Sequence, residues 1–240
     1  MLKKGLSIML VVFIVVASYQ CKGQETNTKE NYTYKTGSFD GIGKWYMNRE
    51  IAHVMGFQGM SWLERPEREK EENTTKLIDN MNISKSDVIA DIGAGSGYHV
   101  FKMAPVASDG HIYAVDIQDE MLAELRRKKV EAGLRNITIV KGSENSVNLT
   151  KNSIDKILIV DVYHELSHPF EVGTSIYEAL KPDGKLFLIE YRAEDQNVPI
   201  KKLHKMSEAQ AIKEMSAIGF KLEANIDNLP WQHCMVFVKE

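Results

Sequence analysis

Two stretches of the chain carry residues whose types and spacing could do chemistry. The first is HELSH, His164 to His168, an H-E-x-x-H pattern. Two imidazoles four residues apart, with a carboxylate between them, hold zinc and activate water when one continuous helix puts them on the same face. The second is DIGAGSG, Asp91 to Gly97. Its glycines at 93, 95 and 97 let the backbone turn sharply and approach a ligand closely, and a helix that follows would aim its N-terminus at whatever is bound.

The elements around each stretch decide between these chemistries. Pro169 directly follows His168 and disfavours helical backbone angles there, so a helix through both histidines would break at the second ligand. Upstream, IDKILIVDV (154–162) is short, apolar and β-branched and reads as a buried strand. HELSH therefore lies in a loop leaving that strand, and no metal is expected there. A zinc hydrolase is the rival reading, and it requires His164 and His168 to converge.

From Asp87 onward, strand-like segments (DVIADIG, GHIYAVDI, NITIVKG, IDKILIVDV, GKLFLIEYR) alternate with segments of helical spacing (YHVFKMAPVA, QDEMLAELRRKKVEAG, PFEVGTSIYEAL, SEAQAIKEMSAIG). That alternation predicts a parallel sheet with helices on both faces. Gly133 and Gly219 are helix stops, KPDG (181–184) a turn, and Ser207 with Gln210 a capping box. The tail after Gly219 reads as two further strands joined around Pro230, and SWLERPEREKEENTTKLIDNMNI (61–83) as a charged loop followed by a helix.

The glycine loop ends the first of these strands, and Asp116 ends the second, where a carboxylate accepts hydrogen bonds from two ribose hydroxyls. The dinucleotide fingerprint spaces its last glycines G-x-x-G, whereas here the spacing is G-x-G-x-G, which disfavours a nicotinamide oxidoreductase. With VIADIGAGSG, AVDIQDEML, KILIVDVYHEL and EALKPDGKLFLIEYR in order, Trp62 to Glu240 resembles a class I S-adenosylmethionine-dependent methyltransferase. The resemblance implies an α/β, Rossmann-like fold: a seven-stranded, mostly parallel sheet of order 3-2-1-4-5-7-6 with helices on both faces. It also implies S-adenosylmethionine as cofactor. Asp91, Gly93, Ala94, Gly95 and Gly97 would wrap its methionine part, Asp116 would hold the ribose, and Ile117 would pack on the adenine. Ser143 stands where relatives often place an acid for the adenine amino group, with Glu144 next to it. Asp161 would line the cofactor's reactive end.

Methyl transfer needs donor and acceptor aligned and an acceptor proton removed. Asp161, Tyr163, His164 and Glu165 are the candidates for the acceptor pocket, with His164 the best base near neutral pH. For His164 the alternative is hydrogen-bonded structural support, and for Tyr163 a role in covering the cofactor. Glu190, Tyr191 and Arg192 are expected to face the same rim. PIKKLHKMSEAQ (199–210), with His204, is placed to close over it, and Trp62, Glu64 and Arg65 form a lid or an ordinary packing helix.

At 240 residues and a net charge of −3, the chain is long enough for one large core and carries no electrostatic footprint for nucleic acid. Lys3 and Lys4 before the apolar run 6–17 suit a secretory signal, and Cys21 resembles the lipid-attachment cysteine of bacterial lipoproteins. Uncleaved anchor and simple secreted forms stay open. The expected organisation is a signal peptide or membrane anchor over 1–24, a polar tether over 25–44, and a methyltransferase domain over 45–240 with a helical lid over 45–86. An exported, membrane-associated protein follows, with membrane contact only through the N-terminal segment. The Pro-Pro-aromatic motif of nucleic-acid amino methyltransferases is missing. Only Cys234 lies outside the export segment, which disfavours arsenic as acceptor. A small-molecule methyl acceptor is the expectation, and the rival is a module of the same fold that binds the cofactor without transferring methyl groups.

Overall fold

The computed structural model describes residues 31–240. The signal or anchor expected over 1–24, with Cys21, and the first part of the tether lie outside the described residues. Among those described, no helix is long and apolar enough to cross a membrane.

The elements in chain order are β1 (Tyr32–Tyr34), β2 (Gly41–Tyr46), β3 (Arg49–Ala52), α1 (Met60–Leu63), α2 (Arg68–Glu72), α3 (Thr74–Asn80), β4 (Val88–Ile92), α4 (Val100–Met103), β5 (His111–Asp116), α5 (Asp119–Ala132), β6 (Ile137–Lys141), β7 (Ile154–Val160), α6 (Pro169–Ala179), β8 (Leu180–Tyr191), α7 (Glu208–Ser216), β9 (Phe220–Asn225) and β10 (Gln232–Lys239). The main sheet has the order β6-β5-β4-β7-β8-β10-β9, and β10 runs antiparallel to both its neighbours. Counted within the sheet, this is the expected 3-2-1-4-5-7-6.

Side-chain alternation along the central strands explains why the sheet is buried on both sides. Leu158, Val160, Phe187, Ile189, Cys234 and Val236 feed one core with α3, α4 and α5, while Ile157, Ile159, Leu186, Leu188, Met235 and Phe237 feed the other with α6 and α7. Each fully buried large side chain contributes roughly 1.5–3 kcal/mol. Cys234 is a core residue of β10, and burial pushes its thiol up to about 11. The helix ends follow the local signals. Ser207 accepts the Gln210 N–H at 3.2 Å, Gly133 takes the left-handed conformation after α5, and Pro169 opens α6.

Three expectations need correction. Residues 32–52, assigned to a tether and the start of a helical lid, instead form a three-stranded antiparallel sheet, β1-β2-β3. Only 57–80 is helical, in short pieces. The small sheet is held because Tyr32, Tyr46 and Ile51 bury a core of their own against Phe170 of α6, and the Arg49 guanidinium binds both oxygens of Glu214 on α7 at 2.7 and 2.8 Å. KPDG is a bulge rather than a free turn, since the pairing of β7 with β8 jumps from Ile154↔Leu180 to Lys156↔Lys185.

Gly97 has φ +86, and an added Cβ would lie 2.4 Å from Phe101 and 2.8 Å from Leu125; Gly133 has φ +64 and open space around it. Gly133→Ala should therefore cost about 1 kcal/mol in urea denaturation, the backbone penalty alone. Gly97→Ala should cost roughly 1–3 kcal/mol more, because its neighbours are core side chains.

Candidate active site

In a doubly wound sheet, the crevice lies at the carboxyl ends of the strands where the order reverses. Here that point falls between β4 and its neighbours β5 and β7. A cavity of about 650 Å³ opens there, with the glycine loop on one wall and the HELSH segment on another.

The glycine loop is tied to β5. The N–H groups of Gly93 and Ala94 both donate to Val115 O, at 2.8 and 2.9 Å. Gly95 N–H donates to Asp116 Oδ2 and Gln118 N–H to Asp116 Oδ1, each at 2.9 Å. Gly93 and Gly95 both have positive φ, and a Cβ on Gly93 would lie 2.6 Å from Val162, so the close approach of β7's end to the loop requires glycine there. Burial raises the Asp116 carboxyl, opposed by these backbone donors. Gly93, Ala94, Gly95, Asp91, Asp116, and beyond them Ile117 and Glu144, all border the cavity. Gly97 does not border it. It packs against Phe101 and Leu125 beneath the loop, so its role is packing rather than ligand contact.

Beyond β7, Asp161 adopts φ +53, uncommon for a residue with a side chain, and turns the chain into the cavity wall. Residues 163–165 then form one 3-10 turn, and His168 stands at the N-terminal boundary of α6 without a side-chain capping hydrogen bond. The two HELSH histidines part company. His168 Nδ1 lies 2.9 Å from Ser167 Oγ and its ring meets Tyr32 edge-on, while His164 is buried beside Glu190. Tyr163, expected in the acceptor pocket, is fully buried and packs into the α6–α7 core away from the cavity. Arg192 is likewise turned off the rim, donating to Leu229 O and Pro230 O at 3.0 Å.

His164 Nδ1 is 2.6 Å from Glu190 Oε2, and its Nε2 is 3.2 Å from His204 Nδ1 and 3.8 Å from Glu165 Oε1. Burial disfavours the imidazolium, but Glu190 and Glu165 outweigh it and hold the His164 pKa above its ordinary value. Glu165 Oε2 accepts the Met55 N–H at 3.1 Å, and Gln118 donates to Met55 O at 3.1 Å, which draws the chain after β3 over the cavity. Glu64 accepts the Ser96 hydroxyl at 2.5 Å and fastens the segment after α1 to the glycine loop. Tyr191 borders the cavity and donates to Glu72 at 2.8 Å.

Sequence reasoning missed Arg68 and His99. Arg68 on α2 binds Glu72 at 2.6 Å and also borders the cavity, and burial with the Arg68 and Lys102 charges depresses the His99 pKa. No local signal marks either residue. Three buried atoms of cavity residues lack a hydrogen-bond partner: Asp91 Oδ2, Asp161 Oδ1 and His99 Nε2. Burial, with the Asp116 charge and against Arg68, pushes Asp91 up to about 7; burial and the Glu72 and Glu190 charges push Asp161 well above the carboxylate range.

A switch-point crevice with a glycine loop and a carboxylate at the end of the second strand defines a nucleoside-binding enzyme of the class I methyltransferase type. Residues 83–233 match the family model described as "Methyltransferase domain", and the chain belongs to that family. It is similar to the uncharacterized methyltransferase YdaC of Bacillus subtilis, with 28% identity over 144 residues, covering 60% of this chain and 77% of the relative. It is also similar to a demethylmenaquinone methyltransferase of Listeria monocytogenes, with 27% identity over 177 residues, covering 72% and 67%. Among solved structures, a SAM-dependent methyltransferase from Aquifex aeolicus shares the fold at a TM-score of 0.72 and 21% identity, covering 77% of this chain and 98% of that one. S-adenosylmethionine is the cofactor of this fold and family. The unpaired oxygens of Asp91 and Asp161 fit it, because they are acceptors awaiting the donors that an amino group supplies.

The raised Asp91 pKa has a stability consequence with a definite sign. Between about pH 4 and 7 the folded chain keeps a proton that the unfolded chain releases, so stability falls as pH rises through that window. Asp91→Asn removes the penalty. Cofactor-stripped Asp91→Asn should match the parent near pH 4 and exceed it by about 2–4 kcal/mol at pH 8 in urea denaturation.

Proposed function

We propose that the protein transfers the methyl group of S-adenosylmethionine to a small-molecule acceptor with a removable proton. The observation that carries this reading is a single cavity, about 650 Å³ in volume, which joins the glycine loop and Asp116 to His164, Glu165 and His204. That volume lies in the range of small-molecule sites, and the two ends differ in chemistry as donor and acceptor ends should. The cofactor supplies an electrophilic methyl group on a sulfonium.

The residues divide the remaining work. Asp91 and Asp161 face the amino group of the methionine part, and Arg68 with His99 supplies donors for its carboxylate. Asp116 takes the ribose hydroxyls with the carboxylate lone pairs left after Gly95 and Gln118. Ile117, 44% exposed, covers the base, with Ser143 and Glu144 at its edge. On the acceptor side, Glu190 fixes the His164 proton on Nδ1, so the Nε2 lone pair is turned toward His204, Glu165 and the acceptor. The acceptor proton leaves into this polar corner. Demethylmenaquinone, named for the Listeria relative, is one acceptor to include in assays. Export through residues 1–24 belongs to the same proposal and is supported by Lys3, Lys4 and the apolar run behind them.

Calorimetry with S-adenosylhomocysteine tests the first half. Asp116→Asn should weaken binding roughly tenfold to a hundredfold, the loss of one or two charge-assisted hydrogen bonds. No binding at sub-millimolar levels, together with no effect of this substitution, would refute the cofactor assignment. For the second half, His164→Gln should leave S-adenosylhomocysteine affinity within about twofold and lower turnover on an identified acceptor roughly a hundredfold or more. Cofactor binding without turnover on any acceptor would instead identify a binding module.

A further inference from the structure

The three polar atoms at the acceptor end of the cavity come from two distant parts of the chain. His164 and Glu165 sit on the 3-10 turn after β7, and His204 ends another 3-10 turn, Lys202–His204. We propose that His164 Nε2, His204 Nδ1 and Glu165 Oε1 form a binding site for one divalent transition-metal cation of the zinc class, open toward the cavity. The inference rests on this end of the cavity being the acceptor side.

The geometry is that of a ligand set. The three atoms are 3.2, 3.3 and 3.8 Å apart. The point equidistant from them lies about 2.0 Å from each, which is the length of a zinc–imidazole or zinc–carboxylate bond.

Proton accounting points the same way. Glu190 holds the proton on His164 Nδ1, so a neutral His164 offers only a lone pair at Nε2. Glu165 is an acceptor, and its second oxygen is already engaged by Met55 N–H. His204 Nδ1 brings at most one proton, which satisfies one of its two neighbours. A cation satisfies all three atoms at once.

The surroundings suit a dication. Glu190 is fully buried behind His164 in the carboxylate–histidine–metal arrangement that orients a ligating imidazole. Glu165 and Glu190 together supply two negative charges. Among the described residues this group contains three ligands and excludes His168, so the H-E-x-x-H spacing is not what builds it. Two histidines, one glutamate and an open position on a cavity wall are the donor set of a catalytic zinc site. The open position faces the acceptor, so a hydroxyl or thiol ligated there releases its proton to water and keeps the electron pair on the ligated atom. The acceptor class is thereby an alcohol, phenol or thiol.

The test uses the full chain, stripped with chelator and titrated with Zn²⁺, and with Co²⁺ for its tetrahedral visible absorption. One Zn²⁺ per chain with sub-micromolar affinity is expected. His204→Ala and Glu165→Gln should each weaken it at least tenfold and abolish the Co²⁺ band, while His168→Ala leaves both unchanged. His204 is partly exposed, whereas His164 is buried, so the His204 variant reports binding even if His164→Ala fails to fold. Substoichiometric zinc, or zinc binding indifferent to His204→Ala, would overturn the proposal. S-adenosylhomocysteine binding, measured on the same metal-free protein, separates the outcomes. Its persistence without a zinc site leaves the methyltransferase reading standing and returns the proton to His164 alone. A zinc site without S-adenosylhomocysteine binding defeats the methyltransferase reading instead.

Discussion

The structure depends on how it accommodates carboxylates gathered at the carboxyl edge of one sheet and shut away from water. Glu72, Asp91, Asp116, Glu190 and Glu214 are all buried, and Asp161 nearly so. An unpaired buried charge is costly, so each needs a partner or a proton. Glu72 is held by Arg65 and Arg68, Glu214 by Arg49, Glu190 by His164 and Asp116 by backbone N–H groups. The exceptions are Asp91, whose Oδ2 has no partner, and Asp161, whose Oδ1 has none while its Oδ2 accepts from Gln232 Nε2 at 2.6 Å; for both the balance tips toward the neutral form.

The guanidinium groups in that arrangement all come from the segment before β4. Arg49 lies on β3, Arg65 between α1 and α2, and Arg68 on α2. The N-terminal segment is therefore part of the domain's electrostatic core rather than an attachment to it. Arg49 joins Glu214 of α7 to the His164 carbonyl, at 3.1 Å, so the same side chain closes an ion pair and steadies the turn that presents His164. Removing one partner of such a buried pair costs about 3–5 kcal/mol, more than most single packing contacts return. The segment before β4 thus sets ion pairs on two sides of the site, with Arg68 on the cavity lining and Arg49 behind the turn that carries His164.

This explains what was and was not legible in the sequence. The alternation of strands and helices, the glycine loop and Asp116 were readable because each rests on local periodicity or spacing: Asp116 ends a run of β-branched and aromatic residues, and Gly93 and Gly95 stand where the backbone must turn left-handed. The sheet order came instead from the family resemblance. Pro169 correctly excluded a zinc helix, since it opens α6 immediately after His168. The three-stranded sheet over 32–52 was hidden. Its strands are short, Tyr34 and Phe39 are largely exposed, and its burial comes from α6 and α7, far away in sequence. Tyr163 and Arg192 were misjudged for a related reason: spacing put them at the right strand ends but could not say to which side they turn. Gly97 was assigned to ligand contact because its type matched, whereas Phe101 and Leu125 claim it for packing. His204 joins His164 only through the fold.

The two carboxylates left with an unpartnered oxygen link stability to function. A site that held Asp91 and Asp161 in finished ion pairs would have no acceptors left for a ligand, and a site that solvated them would offer little preference for one. Keeping them buried, each with one oxygen unmet and shifted toward the protonated form, stores an unfavourable term that a donor-bearing ligand can relieve. Ligand binding then stabilises the folded state by mass action, in proportion to the logarithm of ligand over its dissociation constant. The glycine loop extends the same logic to the backbone. Gly93 and Gly95 accept left-handed angles that few residues tolerate, and the Asp116 carboxylate holds them there through the Gly95 N–H. The left-handed glycine turn and the unmet oxygens of the carboxylates meet at one wall of one cavity, which is where a cofactor that supplies both donors and buried surface has most to gain.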